Sequence, residues 1–378
     1  MWDAVVLGLG GVGSFALRAL AKRGVKVLGL EQFEPGHDQG SSHGRSRVYR
    51  HAYFEHADYV PLLLHASSEF RALERDTGSA LVDNCGTLLI GRDDCAVLGD
   101  SEAAARRHGI EVEPLGRDAL RERYLLFAVP EGWHGLFEPS GGFVRPEASV
   151  RAAVAHAEQL GAEVRSETRV RWLREADDCV VLGLDNELVH AGRLLVCAGA
   201  WTAQLLPQLA GELRVTRQVQ GWVTPRDAAA VQPSRFPTWL IVRADGVPLY
   251  GIPADPLDAN GGLPKVALHG NRERVDPDKP RRPIDDFDRN DLMRVVREWL
   301  PTLGDELAEA QSCIYTVTRD EHFVVDRVPR TNRVWCAAGL SGHGFKLTPA
   351  LGEALVALAL DGASALPIDF LSASRFAQ

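Results

Sequence analysis

Val5-Val6-Leu7-Gly8-Leu9-Gly10-Gly11-Val12-Gly13 stands near the start of the chain, followed by a helical segment and then Val25-Lys26-Val27-Leu28-Gly29-Leu30-Glu31. The first apolar run reads as a buried parallel strand. Gly8, Gly10 and Gly13 let the backbone turn sharply and approach a pyrophosphate, and the helix behind them turns its positive end toward the phosphates. The second run reads as the next strand, with Glu31 at its end where a ribose hydroxyl needs an acceptor. A GxGxxG string alone is a weak signal, but strand, helix, strand and acid in this order favour a dinucleotide cradle over an ordinary glycine turn. The cradle grips the adenosine diphosphate half, which nicotinamide and flavin dinucleotides share, so the choice between them rests on residues further along.

At 378 residues, 45% hydrophobic and 25% charged, the chain has the length of about two domains and the composition of a globular protein. The net charge of −9 argues against a nucleic-acid partner, since no strong basic patch offsets it: Arg281-Arg282 sits among Asp276, Asp278, Asp285 and Asp286. No apolar run is long enough to cross a bilayer. Met1-Trp2-Asp3 leads straight into the first strand, so neither a leader nor a membrane partner is expected, and a cytoplasmic location is.

Six cysteines (Cys85, Cys95, Cys179, Cys197, Cys313, Cys336) are scattered without a CxxC or a metal-ligand spacing, so no metal is expected and most are read as small buried hydrophobes. Of 42 basic residues only five are lysine: Lys22, Lys26, Lys265, Lys279 and Lys346. A lysine in an apolar or glycine-rich setting then marks a place suited to a compact ammonium. Lys22, Lys26 and Lys279 are read as surface positions.

After the second strand, Ser41-Ser42-His43-Gly44-Arg45-Ser46-Arg47-Val48-Tyr49-Arg50-His51 packs three arginines and two histidines together. An anion-handling segment and a solvated basic loop explain it equally well. Helices are expected over Tyr59 to Thr77, Cys95 to His108, Pro146 to Leu160, Arg289 to Leu300 and Pro349 to Leu360, and a turn over Phe137 to Phe143. The strand Leu194 to Cys197 runs into Ala198-Gly199-Ala200-Trp201, where the glycine again permits a close approach. Between Arg217 and His269 short strands punctuated by proline and glycine read as a mainly antiparallel sheet.

Three uncommon strings carry a more specific likeness: Ser42-His43-Gly44 with Arg47 and Arg50-His51-Ala52-Tyr53; Cys313-Ile314-Tyr315-Thr316 with Asp320-Glu321-His322-Phe323; and Ser341-Gly342-His343-Gly344-Phe345-Lys346. On these the chain resembles, over its full length, the monomeric sarcosine oxidase and N-methyltryptophan oxidase family of D-amino-acid-oxidase-like flavoenzymes. The resemblance implies an α/β fold: a Rossmann-like FAD-binding domain of the D-amino-acid-oxidase type with an inserted α+β substrate domain on a mainly antiparallel sheet. It divides the chain into a discontinuous FAD-binding unit (1–80, 145–215 and 311–378) and a substrate unit (81–144 and 216–310).

It further implies FAD attached covalently through an 8α-S-cysteinyl thioether at Cys313, since a thiolate can attack the electron-poor methyl carbon of an oxidised flavin. Gly8, Gly10, Gly13, Glu31, Ser42, Gly199, Gly342 and Gly344 match cofactor-binding positions. His43 and Arg47 match residues against the flavin ring, where positive charge stabilises the reduced form. Lys265 matches the lysine that promotes reaction with dioxygen. Arg50 and Lys346 match the pair that receives a substrate carboxylate, Lys346 also touching the cofactor, while Tyr250, Tyr315 and His269 flank the amine. The implied activity is oxidation of a small secondary amino acid, sarcosine foremost, to an imine that hydrolyses, with hydrogen peroxide released by a monomer. A larger or cyclic amine (N-methyltryptophan, pipecolate, a glycated amino acid) stays open. So do an FAD dehydrogenase or non-catalytic flavin subunit and, from the cradle alone, a nicotinamide-dependent dehydrogenase. Gly251 to Pro264 is longer than in typical sarcosine oxidases, Leu249 replaces a frequent aromatic, and Trp222 is a candidate pocket wall.

Overall fold

The strand Trp2–Leu7 lies between Val27–Leu30 and Leu188–Val196, parallel to both. Glu163–Arg165 extends the sheet beyond Val27–Leu30, and Val334–Ala338 pairs in parallel with the end of Leu188–Val196. A computed structural model describes residues 1–258, 262–270 and 273–376. The continuous apolar run of the first strand follows from cover on both faces. Ala4 and Val6 pack under the helices Gly11–Lys22 and Thr348–Asp361, against residues such as Leu17, Leu20, Leu351 and Leu355. Val5 and Leu7 turn the other way, onto Val180, Leu182, Leu206 and Leu209.

Leu188–Val196 changes partner along its length. Leu188 to Ala191 pair antiparallel with Val180–Gly183, which in turn pairs with Trp172–Glu175. Leu194 to Val196 then join the parallel part of the sheet.

The second sheet runs in the order Leu307–Thr318, Leu213–Val223, Lys265–Leu268, Leu249–Ile252, Thr238–Ile241, Thr87–Arg92, Trp133–Glu138, Glu113–Leu115. It is antiparallel except where Thr238–Ile241 meets Thr87–Arg92. One face packs Trp239, Leu249 and Val266 against the helix Asp286–Trp299, whose start is closed by a capping box between Asp285 and Asp288. A third sheet of Arg47–Tyr49, Gly142–Val144 and Val82–Asp83 lies near the junction.

Leu307–Thr318 and Leu213–Val223 pair along their whole lengths, setting Cys313 opposite Gln218 and Tyr315 opposite Thr216. Side chains two apart on a strand share a face, so Cys313 and Tyr315 point the same way. Both strands run across the boundaries expected at 215 and 311 between the cofactor and substrate units.

Two sequence expectations are corrected. The turn read over Phe137 to Phe143 shrinks to Pro139–Gly141, because Phe137 pairs with Leu88, Glu138 with Thr87, and Phe143 with Val48. A strand expected from the sequence over Arg169 to Leu173 starts only at Trp172 and runs to Glu175. Of the long loop before Lys265, residues 259–261 lie outside the described residues. Lys265 itself is fixed by pairing opposite Trp222 and Ile252.

Candidate active site

Gly8 donates its N–H to Leu30 O at 2.8 Å with φ +88°, and a Cβ there would sit 2.6 Å from Cys197 O. A Cβ on Gly13 would lie 1.8 Å from Gly8 O, so strand and helix meet only through glycine. Gly10 differs: its Cβ would meet nothing nearer than Ser42 Oγ, at 3.7 Å. Glu31 is buried at the end of its strand and accepts from Leu9 N at 2.8 Å and Phe33 N at 3.0 Å. Burial raises its carboxyl against these N–H groups. Two lone-pair sites beyond those bonds remain for a hydroxyl.

From this cradle a cavity of about 1620 Å³ extends to Tyr250, His269, Tyr315 and Lys346. That exceeds the ~300–1,000 Å³ of an ordinary small-ligand site and suits a dinucleotide with a second molecule. Ser42, Arg47, Gly199, Gly342 and Gly344 also line it.

The Ser41–His51 segment is neither a solvated loop nor a free anion site, because each basic side chain but one has a protein partner. Arg47 Nη2 donates to Ser41 O at 3.0 Å and toward Cys313 Sγ at 3.6 Å, and Nη1 donates to Ser46 O at 2.9 Å. His51 Nδ1 lies 2.7 Å from Glu138 Oε1, and Glu138 also accepts from the His51 and Ala52 N–H groups. His43 is the exception: it is 1% exposed and neither ring nitrogen has a partner among the described residues. Burial, then Arg47 and Lys265, hold it to about 3, so the imidazole is neutral. The positive charge expected of His43 and Arg47 together is therefore Arg47's alone.

Lys265, 1% exposed, donates to Gly44 O at 2.9 Å and Ser46 O at 2.8 Å. Burial, then Arg47, push its ammonium well below the usual lysine range. Trp222 lies under the Arg45 guanidinium at 4.3 Å and beside Lys265 at 5.8 Å rather than in the cavity wall, and Leu249 faces the apolar core.

Arg50 Nη2 contacts both Glu55 oxygens at 3.0 Å, Nη1 donates to Ala52 O, and the guanidinium lies over Tyr53 at 4.4 Å and Phe54 at 4.6 Å. Lys346 Nζ donates to His343 O at 2.7 Å and sits 4.7 Å over the same Tyr53 ring. Burial, then Arg50, lower Lys346 to about 7, against the opposing pull of Glu55. His343, held to about 3 by burial, is neutral. Its Nε2 must donate to Glu321 O at 3.0 Å, so Nδ1 accepts from Tyr53 O–H at 2.6 Å. Tyr315 Oη lies 3.5 Å from His269 Nδ1, burial holds His269 to about 4, and Tyr250 and Tyr315 are hydrogen-bonded to each other.

The sequence of the FAD dependent oxidoreductase family matches residues 3–358 of this chain. The monomeric sarcosine oxidase of Streptomyces avermitilis is 36% identical over 379 residues, covering 100% of this chain and 98% of that protein. The N-methyl-L-tryptophan oxidase of Yersinia pestis is 31% identical over 377 residues, covering 99% of each. Among solved structures, NikD, an amino acid oxidase of nikkomycin biosynthesis, superposes with a TM-score of 0.85 at 22% identity, covering 98% of this chain and 97% of that one. The chain belongs to the FAD-dependent oxidoreductase family.

It is an FAD-dependent amine oxidoreductase with the D-amino-acid-oxidase type of fold. The residues present fit the cofactor: Gly10 leaves the phosphate approach open, Glu31 keeps acceptor capacity, and His43, in the field of Arg47 and Lys265, holds two buried nitrogens with no partner among the described residues. Of the residues singled out from sequence, Arg47, Tyr250, His269, Tyr315, Arg50 and Lys346 line one cavity. Lys265, His43 and Cys313 lie behind its wall, tied to it through Arg47 and the Gly44–Ser46 carbonyls.

Sequence reasoning missed Glu55 and Tyr53. Tyr53 stood inside a quoted string, whereas Glu55 had no pattern to mark it. Among the described residues no group of three His, Cys, Asp or Glu side chains is placed to hold a metal, and no helix is long and apolar enough to cross a membrane.

Proposed function

We propose that this amine oxidoreductase oxidises a small secondary amino acid, sarcosine foremost, with FAD joined to Cys313 and dioxygen as the final acceptor. For sarcosine the balance is sarcosine, dioxygen and water giving glycine, formaldehyde and hydrogen peroxide. The observation that carries this reading is two cations, Arg50 and Lys346, converging over one tyrosine ring beside Tyr250, His269 and Tyr315, at the far end of a cavity that begins at the glycine cradle. The monomeric sarcosine oxidase relative supports the substrate class and a monomeric state.

Lys346 spends one of its three N–H groups on His343 O, and Arg50 spends its paired charge on Glu55, so a carboxylate meets a ready donor in Lys346 and competes with Glu55 for Arg50. Neutral His269 and the two phenols accept and donate hydrogen bonds around the amine without adding charge. The amine must bind with its lone pair free, and two nearby cations disfavour an ammonium there. FAD held by the glycine cradle and Glu31 would supply the two-electron acceptor for the C–H bond next to nitrogen, with dioxygen as the final acceptor. Lys265 supplies buried positive charge for developing superoxide, and Arg47 supplies it on the Cys313 side.

A bulkier N-alkyl amino acid is the second reading. The cavity continues past Tyr250 to Asp245, Gly246 and Val247, and the N-methyl-L-tryptophan oxidase relative points the same way. Ranking kcat/KM for sarcosine, N-methyl-L-tryptophan and pipecolate decides between them, and formaldehyde and peroxide in equal amounts from sarcosine are expected. Acid precipitation tests the tether: the yellow colour stays with the wild-type polypeptide and leaves with the supernatant in Cys313→Ser.

The pH dependence of anion binding follows from Lys346. A carboxylate binds best to its ammonium, which in the free enzyme is full below about 7 and lost above it. The Kd of a simple carboxylate such as acetate, followed by flavin absorbance, should therefore rise above pH 7 toward about tenfold per pH unit, the limit for uptake of one proton. In Lys346→Met the slope should vanish, and a wild-type Kd flat between pH 6 and 9 removes Lys346 from the anion site.

A further inference from the structure

Lys265 is held by a turn that is itself held. Its two carbonyl acceptors, Gly44 and Ser46, flank Arg45, which has φ +67° and is enclosed in a three-residue turn closed by Ser46 N–H to Gly44 O at 2.7 Å. This is a strained backbone shape for a residue with a side chain, and it lasts only where the surroundings over-determine it. Gly44 cannot relax it with a larger residue, since φ is +95° and a Cβ would lie 2.2 Å from the Gln220 side chain.

Glu147 supplies the restraint. Its Oε1 accepts from Gly44 N at 2.6 Å and Arg45 N at 3.0 Å, so the Gly44–Arg45 peptide is held by Glu147 at its N–H and by Lys265 at its carbonyl. Glu147 lies in the first turn of the helix Pro146–Gln159, where a carboxylate is favoured, and the residue before that helix is anchored by the Arg145–Asp255 ion pair at 2.6 Å. The Arg45 side chain adds two ties of its own, to Asp258 at 3.3 Å and to Glu309, and stacks on Trp222.

We propose that Glu147 is a positioning residue for Lys265: one carboxylate oxygen holds the Gly44 and Arg45 N–H groups and so aims the Gly44 and Ser46 carbonyls at the ammonium. Glu147 also adds a negative charge that favours the lysine's, in a neighbourhood where burial, then Arg47 and Arg45, oppose it, with neutral His43 alongside. The device sets how much cation Lys265 presents at working pH. It rests on the reading that Lys265 serves the oxygen step.

Five lysines make the test tractable. Holoenzyme labelled with [13Cε]lysine gives a resonance for Lys265, assigned by its loss in Lys265→Met, whose titration can be followed in Glu147→Gln and Glu147→Ala. The Gln variant keeps an acceptor and loses the charge; the Ala variant loses both. The Lys265 midpoint should fall in both variants while that of Lys346 stays put. Reoxidation of the reduced enzyme by dioxygen should slow by about tenfold or more in Glu147→Ala and less in Glu147→Gln, with anaerobic reduction by substrate unchanged.

A Lys265 resonance that titrates in either variant as in wild type overturns the proposal. A wild-type enzyme that consumes no dioxygen overturns the oxygen reading instead, and leaves the resonance to decide the role of Glu147.

Discussion

Lys265→Met should slow reoxidation of the reduced enzyme by about 10²–10³-fold, the usual cost of removing one preorganised charge from a water-poor site. Reduction by sarcosine under nitrogen should stay within a few-fold of wild type, because Lys265 does not line the substrate end of the cavity. The substitution leaves the Gly44 and Ser46 carbonyls without their shared donor, so some stability is lost as well. Thermal unfolding separates that loss from the kinetic one. Stopped-flow mixing with dioxygen reads the effect directly, and an equal fall in both half-reactions would mean that the lysine serves the fold rather than oxygen.

At the other end of the site, Lys346→Met should lower kcat/KM for sarcosine by about 10–100-fold, the worth of one hydrogen bond to a charged group. Arg50→Met should cost more, since it removes a cation and strands Glu55. Burial alone would raise that carboxyl, and the Arg50 guanidinium, more than Lys346, holds it below its usual range. Pairing Arg50→Met with Glu55→Gln should return part of the loss, and steady-state kinetics on the four variants of that cycle measures it. A double variant no better than Arg50→Met removes Glu55 as the competitor for the guanidinium.

The cofactor half of the fold was legible because its signals are local. Val5 to Glu31 carries strand, turn, helix and strand within one stretch, and Gly8 and Gly13 answer contacts across one strand or a few residues away. The antiparallel sheet was legible as a class but not in its order. Nothing in Thr87–Arg92 announces a parallel partner at Thr238–Ile241, more than a hundred residues on in the sequence.

The site divided along the same line. Arg50, Lys346 and Tyr315 were found because the strings around them resemble a known family, and Tyr250 because that resemblance implies it. Glu138 and Glu147, two carboxylates that hold the site together, were not, because each is set by a distant pairing. Glu147 reaches Gly44 across 103 residues and Glu138 reaches His51 across 87. A lone glutamate at the start of a helix or the end of a strand looks like any solvated acid until the backbone it binds is known. The burden of charge also shifted. The three arginines and two histidines of Ser41 to His51 suggest a cationic patch, yet burial leaves His43 neutral and protein partners occupy Arg45 and Arg50.

An amine that delivers electrons to a flavin in this cavity leaves an optical trace. The most direct measurement is the visible spectrum of the purified enzyme mixed with sarcosine in the absence of oxygen. The oxidised flavin band should bleach and return on admission of air, with one peroxide formed for each cycle. A spectrum unmoved by sarcosine, N-methyl-L-tryptophan and pipecolate alike contradicts the proposed reaction.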